Sequence, residues 1–262
     1  MRIDEFYKIY RLYLLEFIPV YDVYTTGRKN KSKLEEYVDI ILDVLKTGIS
    51  WNSVSKPING DTVRKKYKKW IKMNIFNKIY KDLKKEYLKN NSIKNLYIDS
   101  TDIANVNGCL NFGYNYKHKN KKAIKITTII DDNQFPLFDR IDKASVHDAK
   151  IMDEIIDKKQ IELTAPYHNP KYLVADKGYI SEKIKQKLKN KNIIYTTPHK
   201  KNKSKLTMIR KQCLKNRFKI EQYFSFIKRA FKRIKNIVDR SITTYNSFLL
   251  IASSIMIIRS AY

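Results

Sequence analysis

Apolar residues recur through the first third of the chain at intervals of three and four, the repeat of a helix with one buried face. In LEEYVDIILDVLKTG, Leu34, Val38, Ile41, Leu42 and Leu45 share a face, and Gly48 stands where a C-cap glycine ends a helix. In INGDTVRKKYKKWI, the Asn59-Gly60 pair marks a turn and Asp61 or Thr62 offers an N-cap, with Val63, Tyr67, Trp70 and Ile71 turned inward. The opposite face carries Arg64, Lys65, Lys66, Lys68 and Lys69, which is either a solvated face or one laid against phosphates.

From residue 94 the period falls to two. NLYIDS reads as a strand, and AIKITTIIDDNQFPLFDRI as two strands joined at Asp131-Asp132-Asn133, with Ile124, Ile126, Thr128 and Ile130 alternating inward. VHDAKIMDEIIDKK then reads as a helix, KYLVAD as a buried strand, SEKIKQKLKNK as a helix and NIIYTT as a strand. One long helix over most of Lys211 to Lys235 follows, and an apolar helix closes the chain. The order β-β-β-α-β-α-β-α predicts an α/β sheet flanked by helices over residues 92–262, behind an all-helical region over residues 1–91.

Charge decides which partners suit this pattern. The 54 basic residues against 26 acidic ones leave a formal net charge of +28 on 262 residues, which favours a polyanion and above all nucleic acid. Cys109 and Cys213 form neither a zinc framework nor a disulfide scaffold and point to a reducing compartment. No signal-peptide core opens the sequence, and the run FLLIASSIMII is about half of what spans a bilayer. A soluble intracellular protein with no membrane partner is therefore expected, with HKKNKSK at residues 199 to 205 as a basic loop.

Against this charge three carboxylates stand out. Asp99 ends the first strand and Asp176 the fourth, the strand ends at which open α/β sheets build their sites, although either aspartate taken alone reads first as a strand-ending turn residue. Between Lys201 and Arg240, fourteen Lys and Arg accompany only Glu221 and Asp239. At about 100° per residue, Ile220, Phe224, Ile227, Phe231 and Ile234 make one stripe, with Glu221 at its edge beside Arg217 and Lys228. A salt-bridge partner is one use for Glu221. The other is a site in which Asp99, Asp176 and Glu221 together hold hard cations, Mg²⁺ or Mn²⁺. Two such ions about 4 Å apart suit phosphodiester displacement.

At these residues the sequence resembles DDE transposases of the insertion-sequence 5 / insertion-sequence 4 group, from about Leu34 to the end. YIDST and ADKGY are similar to the family's two aspartate motifs, and KASVHDAKIMDEII, through Ala144, His147 and Asp148, to its Ala-x-x-His-Asp segment. Arg217, Glu221 and Lys228 keep the spacing of the family's Tyr-x2-Arg-x3-Glu-x6-Lys motif, with Leu214 in place of the tyrosine. Gly48 and Trp51 match a Gly-x-x-Trp segment that precedes a basic helix, and Asn120 and Ala123 replace glycines of a Gly-Arg-Lys-Gly-x-Lys stretch.

The resemblance implies a ribonuclease-H-like catalytic domain that cleaves element ends and transfers strands with two divalent ions. It implies double-stranded DNA as partner, both element ends and target, and a homodimer or larger assembly on that DNA. Asp99, Asp176 and Glu221 would be catalytic, with Arg217, Lys228, Lys177, His147, Lys122, Lys125, Arg64, Lys65 and Lys68 toward DNA. His147 could instead be a surface or capping histidine, and Trp51 and Tyr179 are expected as core or packing residues rather than base-stacking ones. Two alternatives stay open: a transposase-derived DNA-binding protein that no longer cuts, and a nuclease that cleaves without joining.

Overall fold

The computed structural model describes residues 3–22, 33–54, 57–105, 113–115, 121–158, 171–198 and 207–261; Cys109 and the basic loop at 199 to 205 lie outside them. The chain forms two compact units, and the division is not linear along the sequence. One unit comprises Met1–Lys84, Ala104–Leu110 and Ile227–Tyr262, the other Lys85–Ile103 and Asn111–Phe226. The closing helices thus group with the opening ones, whereas the sequence pattern suggested one boundary after residue 91.

In the first unit, α1 (Ile3–Tyr21) buries Phe6, Tyr10, Leu14 and Ile18 at helical spacing. Helix α2 (Leu34–Thr47) ends at Gly48, whose φ is 72° and whose N–H bonds the Val44 carbonyl, as expected of that glycine. Its buried face includes Tyr37, Ile40 and Val44 besides the predicted residues, while Leu34 is only partly covered.

Helix α3 (Gly60–Lys72) is capped by Asn59, whose side chain accepts the Asp61 N–H, so neither Asp61 nor Thr62 is the cap. The shift has a steric origin. A Cβ on Gly60 would lie 1.8 Å from the Trp51 carbonyl oxygen, so only glycine lets the turn at Trp51–Ser53 approach the helix start. Val63, Tyr67 and Trp70 are fully buried as predicted, and Ile71 is half-buried.

A helix α4 (Ile75–Asn90) follows, and late in the chain come α9 (Lys232–Lys235) and α10 (Ile242–Ala261). Helix α10 has 20 residues, length enough to cross a bilayer and more than its apolar run suggested, yet 72% of its apolar window is buried within the fold. Ser253 and Ser254 are fully buried in it, and it packs on α1, α3 and α9. The fully buried Arg233 makes a bidentate pair with Asp239, both bonds 2.9 Å, and donates to the Ile49 carbonyl at 2.7 Å. Pairing and hydrogen bonding at every polar edge are what make such a charge tolerable.

The second unit is built on a six-stranded mixed sheet of β1 (Asn95–Ala104), β2 (Gly113–Asn115), β3 (Lys121–Ile130), β4 (Pro136–Lys143), β5 (Tyr172–Ala175) and β6 (Ile194–Thr196). Strand β3 neighbours β1 and pairs antiparallel with β4, and β1, β5 and β6 run parallel in that order. This is the mixed sheet flanked by helices that the β-β-β-α-β-α-β-α order called for, with the short β2 as an addition. The Asp131-Asp132-Asn133 turn forms as predicted, because Asp131 accepts the N–H groups of Asn133 and Phe135 and the Tyr87 hydroxyl.

The expected alternation in β3 does not hold, since Ile124 through Ile130 are all buried, Lys125 and Thr127 included. Both faces are covered, so period-two patterning has no solvent side to report. Helices α5 (Asp148–Asp157) and α6 (Glu182–Lys189) pack together, α6 also on β6, and α7 (Met208–Lys215) packs on β5 and β6. The single helix expected over Lys211 to Lys235 is broken. Asn216 caps α7 at its C-terminus, α8 runs from Phe218 to Ala230, and Phe231 leaves helical backbone at φ −123° and ψ 84°. All five stripe residues are nevertheless buried.

Candidate functional site: a carboxylate cluster on β1, β5 and α8

Strand register sets the first contact of the site. β1 and β5 are parallel with Ile98 opposite Ala175, so the next positions on the two strands are Asp99 and Asp176. Parallel neighbours stand about 4.8 Å apart, and register partners point to the same face. Asp99 is not at a strand end, as the sequence suggested, since β1 runs on to Ala104. It is β5 that stops, at Ala175, and opens space beside Asp99.

Side chains around Asp99 define its electrostatics. Its carboxylate accepts the Ser100 N–H at 2.8 Å and Arg217 Nη1 at 3.2 Å. Burial pushes the Asp99 carboxyl up to about 6; the Ser100 N–H and Arg217 oppose the rise, and the Asp176 and Asp148 carboxylates add to it. Arg217 also donates through Nη2 to Glu221 Oε1 at 2.6 Å, so one guanidinium joins the sheet carboxylate to the helix carboxylate. Helix α8 is held by its first turn, where Lys219 donates to the Asp132 carbonyl at 2.9 Å, and Gln134 donates to Gln222 at 3.1 Å. Asp132 in turn accepts from Asn95 and Tyr97, which ties the helix start to β1.

Asp148 is the acidic neighbour that composition and spacing alone do not single out. It opens α5 and accepts Lys125 Nζ at 2.7 Å, and a Cβ on Gly178 would sit 3.1 Å from its Oδ2. The glycine of ADKGY therefore lets the turn after Asp176 close over Asp148. Tyr179 in that turn is 1% exposed, with its hydroxyl 2.6 Å from Ser100 Oγ, a packing role as expected.

The residues expected on DNA fall into distinct settings. Lys177 is exposed directly after Asp176, and Lys122 is exposed on β3 opposite Tyr114. Lys125 is corrected: it is 8% exposed and committed to Asp148 and the Val146 carbonyl, an internal cation made inaccessible by the two-sided burial of β3. His147 takes its capping alternative, with Nδ1 accepting the Ala149 N–H at 3.2 Å. Lys228 is half-buried near the end of α8 and belongs to the helical unit, as do Arg64, Lys65 and Lys68 on α3, where Arg64 pairs with Asp61 at 2.8 Å.

Aspartate oxygens at Asp99 and Asp176, the former half-buried and its ionisation disfavoured by desolvation, are donor chemistry that fits a hard divalent cation. Glu221, with 56% of its side chain exposed, is engaged by Arg217, and among the described residues no three His, Cys, Asp or Glu side chains converge to hold a metal. The donor set present is thus the Asp99–Asp176 pair, with Glu221 held by Arg217.

The profile of the transposase DDE domain matches residues 92–257. No curated protein matches the chain. Among solved structures, the Mos1 mariner paired-end complex with Mn is similar at 12% identity and a TM-score of 0.27, over 97% of this chain and 88% of that one.

Proposed function

Because the chain belongs to the transposase DDE-domain family, we propose that it is a transposase of the insertion-sequence 5 / insertion-sequence 4 group. It cleaves the ends of its own element and joins them to target DNA. The observation that carries this reading is the register of β1 on β5, which brings Asp99 beside Asp176, with Arg217 linking Asp99 to Glu221.

In this reading Asp99 and Asp176 hold the cation, and Glu221 completes the set when its contact with Arg217 opens. Divalent ions, Mg²⁺ or Mn²⁺ and two in the full reading, supply positive charge for in-line displacement at a phosphodiester. Asp99, partly protonated near pH 6 without a cation, becomes fully ionised when a cation offsets its burial. Arg217, freed from one or both carboxylates, turns its planar donors to phosphate oxygens, the geometry guanidinium suits best. Lys177 and Lys122 extend the positive surface, and Lys228 on α8 is read as a further phosphate contact. In the helical unit, Arg64, Lys65 and Lys68 lie along a double-stranded end by phosphate contact. Pairing two element ends calls for a dimer or larger assembly.

The test is a nicking assay on duplexes carrying the element's end with Mg²⁺. Wild type should nick, while Asp99→Asn and Glu221→Gln should bind the duplex yet lose cleavage by at least about a hundredfold. Full cleavage by either variant removes the site assignment. Binding without nicking by wild type leaves a DNA-binding descendant that no longer cuts, and nicking without strand joining leaves a nuclease.

A further inference from the structure

The helical unit contains a cavity of about 470 Å³ for which the catalytic site has no use. Sites for small organic ligands span roughly 300–1,000 Å³, so one nucleotide is within its capacity. Trp51 lines it and is 6% exposed, its ring 6.0 Å from that of Phe248 and 5.7 Å from the Arg233 guanidinium. Both contacts are to the ring, and the buried indole N–H finds no acceptor among the described residues. An unmade buried hydrogen bond is a standing cost that a ligand oxygen or ring nitrogen removes.

The charge on the walls selects the kind of ligand. Four cations line the cavity (Arg64, Lys68, Arg233 and Arg240) against two acids, Asp61 and Asp239, a surplus of two. The acids are already engaged, Asp239 by Arg233 and Asp61 by Arg64. The excess therefore resides on Lys68 and Arg240, both exposed at the rim. Ser241 and Thr244 bring the start of α10 to the same cavity, and the positive end of a 20-residue helix favours an anion there. An aromatic wall with a waiting donor beside an anion-binding rim is the chemistry of a nucleotide rather than of a bare anion or an apolar ligand.

We propose that this cavity receives a single nucleotide of a DNA strand. Lys68, Arg240 and the first turn of α10 hold its phosphate, and Trp51 donates its indole N–H to the base or sugar. This rests on the chain being a DNA-acting transposase but not on which carboxylates cut.

The full-length chain is titrated by calorimetry with deoxyadenosine 5′-monophosphate, with deoxyadenosine, and with a 5′-phosphorylated single-stranded oligonucleotide as competitor. The monophosphate should bind saturably, the nucleoside should not, and the oligonucleotide should displace the monophosphate. Lys68→Ala with Arg240→Ala, two exposed positions whose loss leaves the core intact, should weaken binding tenfold or more. Trp51→Phe keeps a ring beside Phe248 and deletes the donor, and should weaken binding several-fold with melting unchanged. No saturable binding, or full binding by the double variant, overturns the proposal, and monophosphate binding without competition overturns the strand assignment. A chain that nicks DNA but binds no monophosphate refutes only the cavity; one that binds it while Glu221→Gln still nicks refutes only the catalytic assignment.

Discussion

Replacing Asp99 with asparagine should stabilise the metal-free protein at neutral pH. The carboxyl titrates at about 6 in the fold against 3.8 for an ordinary aspartate, because burial disfavours its charge more than Ser100 and Arg217 favour it. The folded state therefore holds a proton that the unfolded chain has released, and stability falls as pH rises from about 4 through about 6. At pH 7 the full cost, about 3 kcal/mol, is present. Asparagine keeps an oxygen for the Ser100 N–H, and Arg217 retains Glu221. Urea or thermal unfolding in EDTA at pH 4, 5, 6 and 7 should show the variant and wild type alike at pH 4 and diverging above it. The gap at pH 7 should reach about 3 kcal/mol, or on the order of 5–10 °C in melting temperature. Mg²⁺ should narrow it by stabilising wild type alone. A gap that does not change with pH, or a variant less stable than wild type at pH 7, would refute the electrostatic account of the site.

Asp22 should behave in the opposite sense. It is buried, but Lys66, Lys69 and the Trp70 indole outweigh the desolvation and hold its carboxyl down at about 2, so Asp22→Asn should cost about 2 kcal/mol at pH 7 and progressively less as pH falls from about 4 to 2. In the buried Arg233–Asp239 pair, Asp239→Ala leaves an uncompensated cation and should destabilise by about 3–5 kcal/mol in urea melts. Lys125→Ala should lower stability by about 3 kcal/mol while the salt dependence of DNA binding stays that of wild type, whereas Lys177→Ala should reduce that dependence and leave the melt unchanged.

Much of the architecture is written in local pattern. Gly48 ends α2, the Asp131 turn joins β3 to β4, and the parallel pair carrying YIDST and ADKGY is marked by apolar runs with carboxylates attached. These follow from short-range sterics and hydrogen bonds that a few neighbouring residues settle among themselves. Spacing alone also set Glu221 one turn from Arg217, and the fold keeps that contact. Other features came from burial on more than one side, which no local period encodes. Strand β3 is covered on both faces, so Lys125 reads as a surface cation in sequence and is an internal one in the fold.

The break at Asn216 and the late break at Phe231 likewise interrupt a helical pattern that nothing in the stripe itself forbids. Asp148 reaches the site only through long-range packing, through Lys125 and the space that Gly178 leaves. The sequence by itself determined which residues could carry charge at the site and the order of the elements that bear them. Which carboxylate is buried, which cation is spent inside, and which indole N–H is left without a partner were decided only by tertiary structure, because desolvation and pairing depend on neighbours distant along the chain.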